Sequence, residues 1–148
     1  MEDFYPHFIS TLESLLKEFS RELMGVKSIY LLDNDGFNIF SLYGREKEEI
    51  ILHSLVNLLK NEFSHFNLLE IDDPSSRLCL IKVPRSNCYI AVFTARNITA
   101  GLVRVKLKKI SSQITELLSS FESSIEEERI NIEDLEKFLD FLSTKSNR

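Results

Sequence analysis

Asp33-Asn34-Asp35-Gly36 sets oxygen-bearing side chains just ahead of a glycine, part of the ligand pattern of a calcium loop. With Gly36 placed at the loop's invariant glycine, Leu31 falls on the first ligand position and Leu42 where a bidentate glutamate must stand. The coordination shell cannot form, and the tetrad reads as a turn. His7, His53 and His65 are the three imidazoles. The last two lie more than three helical turns apart, so within one helix they share neither a metal nor a proton, and all three read as surface or packing residues. Arg45 precedes a predicted helix and is the residue type that neutralises charge on a transferring phosphoryl group. The plainer reading pairs it in solvent with Glu48 or Glu49. Cys79 and Cys88 fall in neighbouring strands of a hairpin turning at Pro84-Arg85-Ser86-Asn87, with Val83 facing Cys88 and Cys79 facing Val92. About four strand steps then separate the thiols, too far for a disulfide, so both read as small buried apolar residues. No second Cys or His pair stands at zinc-ligand spacing, no Ser-His-Asp or Cys-His set is evident, and the phosphate-binding pattern Gly-x-x-x-x-Gly-Lys-Ser/Thr is missing. No catalytic residue, metal ligand or cofactor is expected.

The elements around these residues are legible from periodicity. Phe8, Leu12, Leu15, Leu16, Phe19 and Leu23 form one apolar stripe on a helix that should stop with Gly25 at its C′ position, leaving Glu13, Lys17, Glu18 and Arg21 in solvent. Ser28–Asp33 and Phe37–Tyr43 then pair across Asp35-Gly36, a dipeptide that favours a type I′ hairpin. A long helix from Glu46 to about Phe66 opens with Glu46, Glu48 and Glu49, whose charges suit its positive end. Its apolar residues, Ile51 to Phe66, span an arc of roughly 160°, wider than one core requires. Three strands follow at Asn67–Asp72, Arg77–Val83 and Cys88–Thr94. The last two carry continuous apolar runs and belong in the sheet centre, whereas Asn67–Asp72 alternates and reads as an edge. A third helix runs from about Thr99 to Phe121, where Ser123-Ser124 and Glu126-Glu127-Glu128 interrupt the pattern. Residues 123–148 then form a linker, a short helix from Asn131 to Leu142 and a disordered tail from Ser143 to Arg148, appended to a domain over residues 1–122.

Hydrophobic residues make up 43% of the 148, enough for one core, and the net charge of −5 argues against general nucleic-acid binding. No apolar run approaches the length of a transmembrane segment, and the acidic Met1-Glu2-Asp3 is unlike a secretory signal, so a soluble cytoplasmic protein is expected.

The order helix, two strands, helix, three strands, helix, with Gly25-Val26 leading into Leu32-Asp33-Asn34-Asp35-Gly36, resembles the Roadblock family of dynein light chains and small-GTPase regulators. Tyr89-Ile90-Ala91-Val92-Phe93 and the helix start Ala100-Gly101-Leu102-Val103-Arg104 add to the likeness, which covers about residues 8 to 121. The resemblance implies an αββαβββα fold of class α+β: a five-stranded antiparallel sheet with the middle helix on one face and the first and last on the other. It also implies pairing through the middle helix and third strand, as a homodimer or with a similar chain, and docking onto a small Ras-like GTPase.

Two residue sets follow. Ile51, Val56, Leu58 and Phe63 on the long helix, with Leu68, Leu69, Glu70 and Ile71 on the edge strand, are the expected dimer interface. Ile50, Ser54, Asn57 and Asn61, a low-charge strip on the far side of the long helix, together with Arg45, are the expected partner-binding residues, against the plain reading of an ordinary exposed helix face. Arg104, Lys106, Lys108 and Lys109 read equally as a solvated face or as a contact for anionic lipid or an acidic partner. The appended helix has an apolar face to cover, on its own domain, a dimer mate or a partner. Competing with a GTPase regulator are a purely structural light-chain adaptor and, with the same sheet, a longin or PAS-type module. A longin chain starts on a strand, and the Phe8–Leu23 helix argues against it.

Overall fold

The computed structural model describes residues 4–128 and residue 139. The apolar stripe beginning at Phe8 builds helix α1 (Phe4–Glu22), and the Asp-Gly turn joins strands β1 (Val26–Leu32) and β2 (Asn38–Leu42). Helix α2 (Glu46–Glu62) leads to strands β3 (Leu68–Asp72), β4 (Ser76–Lys82) and β5 (Tyr89–Ala95), and helix α3 (Ala100–Glu128) closes the order. The strands form one five-stranded sheet in the order β2-β1-β5-β4-β3. Every neighbouring pair is antiparallel. The expected αββαβββα fold is present, with β4, β5 and β1 interior and β3 at an edge.

The two faces of the sheet carry separate cores. Alternation sends Ile29, Leu31, Ile81, Ile90 and Val92 toward α1 and α3, where Phe8 and Phe121 bring their rings to 4.5 Å. It sends Tyr30, Leu32, Leu78, Leu80, Ala91 and Phe93 toward α2, which supplies Leu52, Val56 and Leu59. Leu31 and Leu32 are both fully buried because helices cover both faces at β1. Cys79 and Cys88 are free, buried thiols on the α1/α3 face, with Cys79 opposite Val92. Burial pushes them up to about 12 and about 11 respectively.

Several local expectations change. The β1–β2 connection is not type I′. Gly36 alone in the tetrad has a left-handed φ, of 87°, and its N–H reaches the Asp33 carbonyl at 3.0 Å. This is a type I turn closed by a left-handed glycine, the three-residue hairpin form. Asp33 selects it by accepting the N–H groups of Asp35 and Phe37 on one carboxylate oxygen, at 2.8 and 2.9 Å. Helix α1 ends at Glu22, before Met24, and Gly25 stands in the turn just ahead of β1 with φ 100°, its carbonyl accepting the Ala95 N–H. Helix α2 stops at Glu62, because Ser64, His65, Phe66 and Asn67 are weak helix formers and the chain must reach the sheet edge. Helix α3 continues past Phe121 through Ser123, Ser124 and the acidic run to Glu128. The fourth helix and tail lie outside the described residues, apart from Leu139, which packs against the α1/α3 core.

Candidate functional site

Helix α2 is held to the sheet at its first turn and along one flank, and the opposite flank is left open. At the first turn, Glu48 Oε1 accepts the hydroxyls of Tyr30 at 2.6 Å and Ser28 at 2.7 Å, while the Arg45 N–H donates to the Tyr30 oxygen at 2.8 Å. Desolvation, reinforced by the Glu48 hydrogen bond, pushes the Tyr30 phenol well above its usual range, so it stays a neutral donor. Gly44 lets the chain pass this ring: a Cβ there would come within 3.1 Å of Tyr30 Cε2. Along the flank facing the hairpin, His53 Nδ1 meets the Asp35 carbonyl at 2.7 Å and so carries the proton. Asn57 donates to the same carbonyl at 3.1 Å, and Lys60 reaches the Asn34 carbonyl and the Asp35 carboxylate. Phe37 stacks on the His53 ring at 4.4 Å. Sequence patterning missed both networks. The available signals were a Tyr on a buried strand, which needs a polar partner, and polar residues at helical spacing on α2.

At 100° per residue, Ile51, Leu55 and Leu58 stand on the other flank, away from the hairpin and toward the β4–β3 side of the sheet. Ile51 is 47% exposed and Leu58 42%. On the same face of the sheet, β3 contributes Leu69, packed on the α2 core, and Ile71, 41% exposed. Phe63 and Phe66 extend this apolar strip past the helix end as an exposed stacked pair, 5.8 Å apart.

The backbone of β3 completes the surface. It pairs with β4 without a bulge from Leu68 to Asp72, and the Lys82 N–H donates to the Asn67 carbonyl. Antiparallel alternation then turns the N–H and C=O groups of Leu69 and Ile71 toward β4 and those of Leu68, Glu70 and Asp72 outward. The other edge, β2, is less open: a register irregularity at Leu31/Leu32 faces it, and Tyr43, just past its end, has a left-handed φ of 60°.

Among the expected interface residues, Ile51, Leu58, Phe63, Leu69 and Ile71 thus come together on one face. Val56 does not join them: it is fully buried in its own core, against Gly36, where a Cβ would lie 2.9 Å from it, and it offers no surface to a second chain. Leu68 packs on the α1/α3 core, and Glu70 points to that same side, paired with Arg104 at 2.6 Å. At these two positions the outward backbone is what remains available. On the far side of α2, Ile50 is 69% exposed, with Ser54 and Asn61 also exposed. Asn57 is half-buried, with its amide committed to the hairpin and to the His53 carbonyl. Arg45 is exposed at the N-cap, and among the described residues no carboxylate pairs with it, since Glu48 is held by Ser28 and Tyr30, and Glu49 by Asn38. Among the described residues no three metal-ligating side chains gather, and no helix is long and apolar enough to cross a membrane.

No family model and no characterised relative matches the sequence. Solved structures do match by shape. A Roadblock/LC7 domain from Streptomyces avermitilis superposes with a TM-score of 0.62 at 14% identity, over 71% of this chain and 95% of that one. A structure described as MglB with tetrameric arrangement gives 0.63 at 11% identity, over 80% and 92%. MglB of Myxococcus xanthus gives 0.59 at 19% identity, over 82% and 93%. At such identities the likeness is one of fold, and with the strand order and helix placement above it establishes that this chain has the Roadblock/LC7 fold.

Proposed function

We propose that the chain is a non-catalytic dimeric module that binds and regulates or scaffolds a small Ras-like GTPase. The observation that carries this reading is the apolar strip of Ile51, Leu58 and Ile71 beside the outward-facing backbone of β3. Apolar side chains next to an unbulged strand edge make a surface that a second copy can complete by strand pairing and helix packing at once. The Roadblock resemblance implies the same pairing, and a shape neighbour described as having a tetrameric arrangement supports self-association. Dimerisation would leave Ile50, Ser54, Asn61 and Arg45 displayed for a partner, the low-charge composition expected of an interface centre.

Sedimentation of the full chain at micromolar concentration should give a dimer, and the pair Ile51→Lys with Ile71→Lys should give a folded monomer. A wild-type monomer overturns the dimeric reading. Pull-down with nucleotide-loaded Ras-like GTPases, followed by hydrolysis and exchange assays, tests the partner, with Ile50→Arg and Ser54→Arg expected to abolish capture. Asn57 is unsuitable here, since losing its amide would loosen the hairpin. Stimulated turnover identifies a regulator. Capture without stimulation identifies a scaffold or adaptor, and no capture of any GTPase overturns the partner assignment.

A further inference from the structure

We propose that the cleft between the β4–β5 turn and the middle of α3 binds a small anion bearing a phosphoryl group. This site lies on the α3 side of the sheet and does not depend on the α2/β3 surface. The cleft encloses about 680 Å³, room for a ligand of nucleotide size. Two cations line it from the α3 side, Arg85 in the turn and Lys108 on α3, and its lining holds no Asp or Glu; Lys82, at its border, is the register partner of Tyr89 and sends its side chain to the α2 face. Among the described residues neither Arg85 nor Lys108 has a carboxylate within ion-pairing distance; Glu122 lines a small neighbouring cleft that shares Pro84, Arg85 and Ser86 with this one. In a chain of net charge −5, two cations converging on one concavity with no acid in its lining form a local positive potential that attracts anions.

Two further observations point to an oxyanion. Ser111, 2% exposed, lines the same cleft, and its hydroxyl has no hydrogen-bond partner. A buried hydroxyl left unpaired is costly, and an acceptor oxygen in the cleft would satisfy it. Arg85 has a left-handed φ of 57°, directly after Pro84, where Gly or Asn would sit with less strain. The turn that holds it there is fastened to α3 by Thr115, whose hydroxyl reaches the Pro84 carbonyl at 3.3 Å, and is closed by Ser86, which accepts the Cys88 N–H at 3.1 Å. A planar guanidinium beside an ammonium group suits a multiply charged phosphoryl group better than a single carboxylate.

Calorimetric titration of the full chain with inorganic pyrophosphate should show saturable binding. Arg85→Gly and Lys108→Gln should each weaken it about tenfold, the effect of losing one charge-assisted hydrogen bond. Lys17→Gln, an exposed cation on α1, should leave it unchanged. Arg85→Gly also relieves the left-handed strain, so its thermal midpoint should hold or rise, and weakened binding in this variant is not a folding defect. Flotation with phosphatidylcholine vesicles, with and without a phosphatidylinositol phosphate, separates the ligand's sources: headgroup-dependent flotation assigns a lipid phosphate, and pyrophosphate binding without flotation assigns a soluble one. The proposal is overturned by the absence of both, or by binding that Arg85→Gly and Lys108→Gln leave intact or that Lys17→Gln weakens equally.

Discussion

Tyr30 shows how one buried polar group fixes the placement of a whole helix. Its phenol donates to Glu48 and accepts from the Arg45 N–H, so strand β1, the loop at Gly44 and the first turn of α2 meet at one oxygen. Tyr30→Phe keeps the ring volume and leaves the Glu48 carboxylate with Ser28 as its remaining donor at this site. A loss of about 1–3 kcal/mol in denaturant unfolding is expected, with the secondary structure retained. An unchanged unfolding midpoint would show that water replaces the hydroxyl without cost. Tyr30 was visible in the sequence as a strand residue. Its pairing with Glu48, eighteen positions later, was not, because Glu48 also fitted a plain role as a dipole-stabilising helix-start acid.

Among the elements, β3 carries the clearest division of labour. Its side chains serve both faces of its own sheet, through Leu68 and Glu70 on one and Leu69 on the other, and its outward backbone groups serve no strand among the described residues. Glu70→Pro removes an outward N–H without breaking the β3–β4 ladder, since proline is tolerated where the amide faces away from the sheet. If a second chain pairs at this edge, Glu70→Pro should dissociate the dimer in sedimentation. Glu70→Ala, which loses the side-chain contacts to Arg104 and Cys79 but keeps the outward N–H, should not. Equal dissociation by both would place the effect in the side chain and remove strand pairing from the interface.

For the molecule as a whole, the shifted groups define a stability profile with two limbs. Asp72 is held below the usual carboxylate range by Arg77, Asp73 by the Ser75 and Ser76 N–H groups, and Glu22 by Lys106. Folded values below unfolded ones mean that this stabilisation is complete above about pH 4 and is lost as pH falls through the folded values. Cys79 and Cys88 shift the other way, by burial. Their contribution is complete below about pH 8.5 and declines as pH rises toward 11 and 12. Denaturant unfolding across pH should therefore show a plateau between these limbs. Stability that stays constant from pH 4 to pH 2 would contradict the carboxylate assignments.

The element order, the edge position of β3, the central apolar strands and the excess apolar circumference of α2 were all legible in the chain, because each rests on a short-range period set by helix or strand geometry. The turn type at Asp33–Gly36, the end of α2 and the length of α3 were not, since they depend on which hydrogen bonds the assembled structure makes available. Tertiary structure alone sorted the α2 residues by role. Packing on the sheet buried Val56, the hairpin engaged Asn57, and Ile51 and Leu58 were left facing solvent beside β3. The same is true of Arg85 and Lys108: two unremarkable surface cations in the sequence, drawn to one cleft only because a turn packs against a helix more than twenty residues farther along the chain.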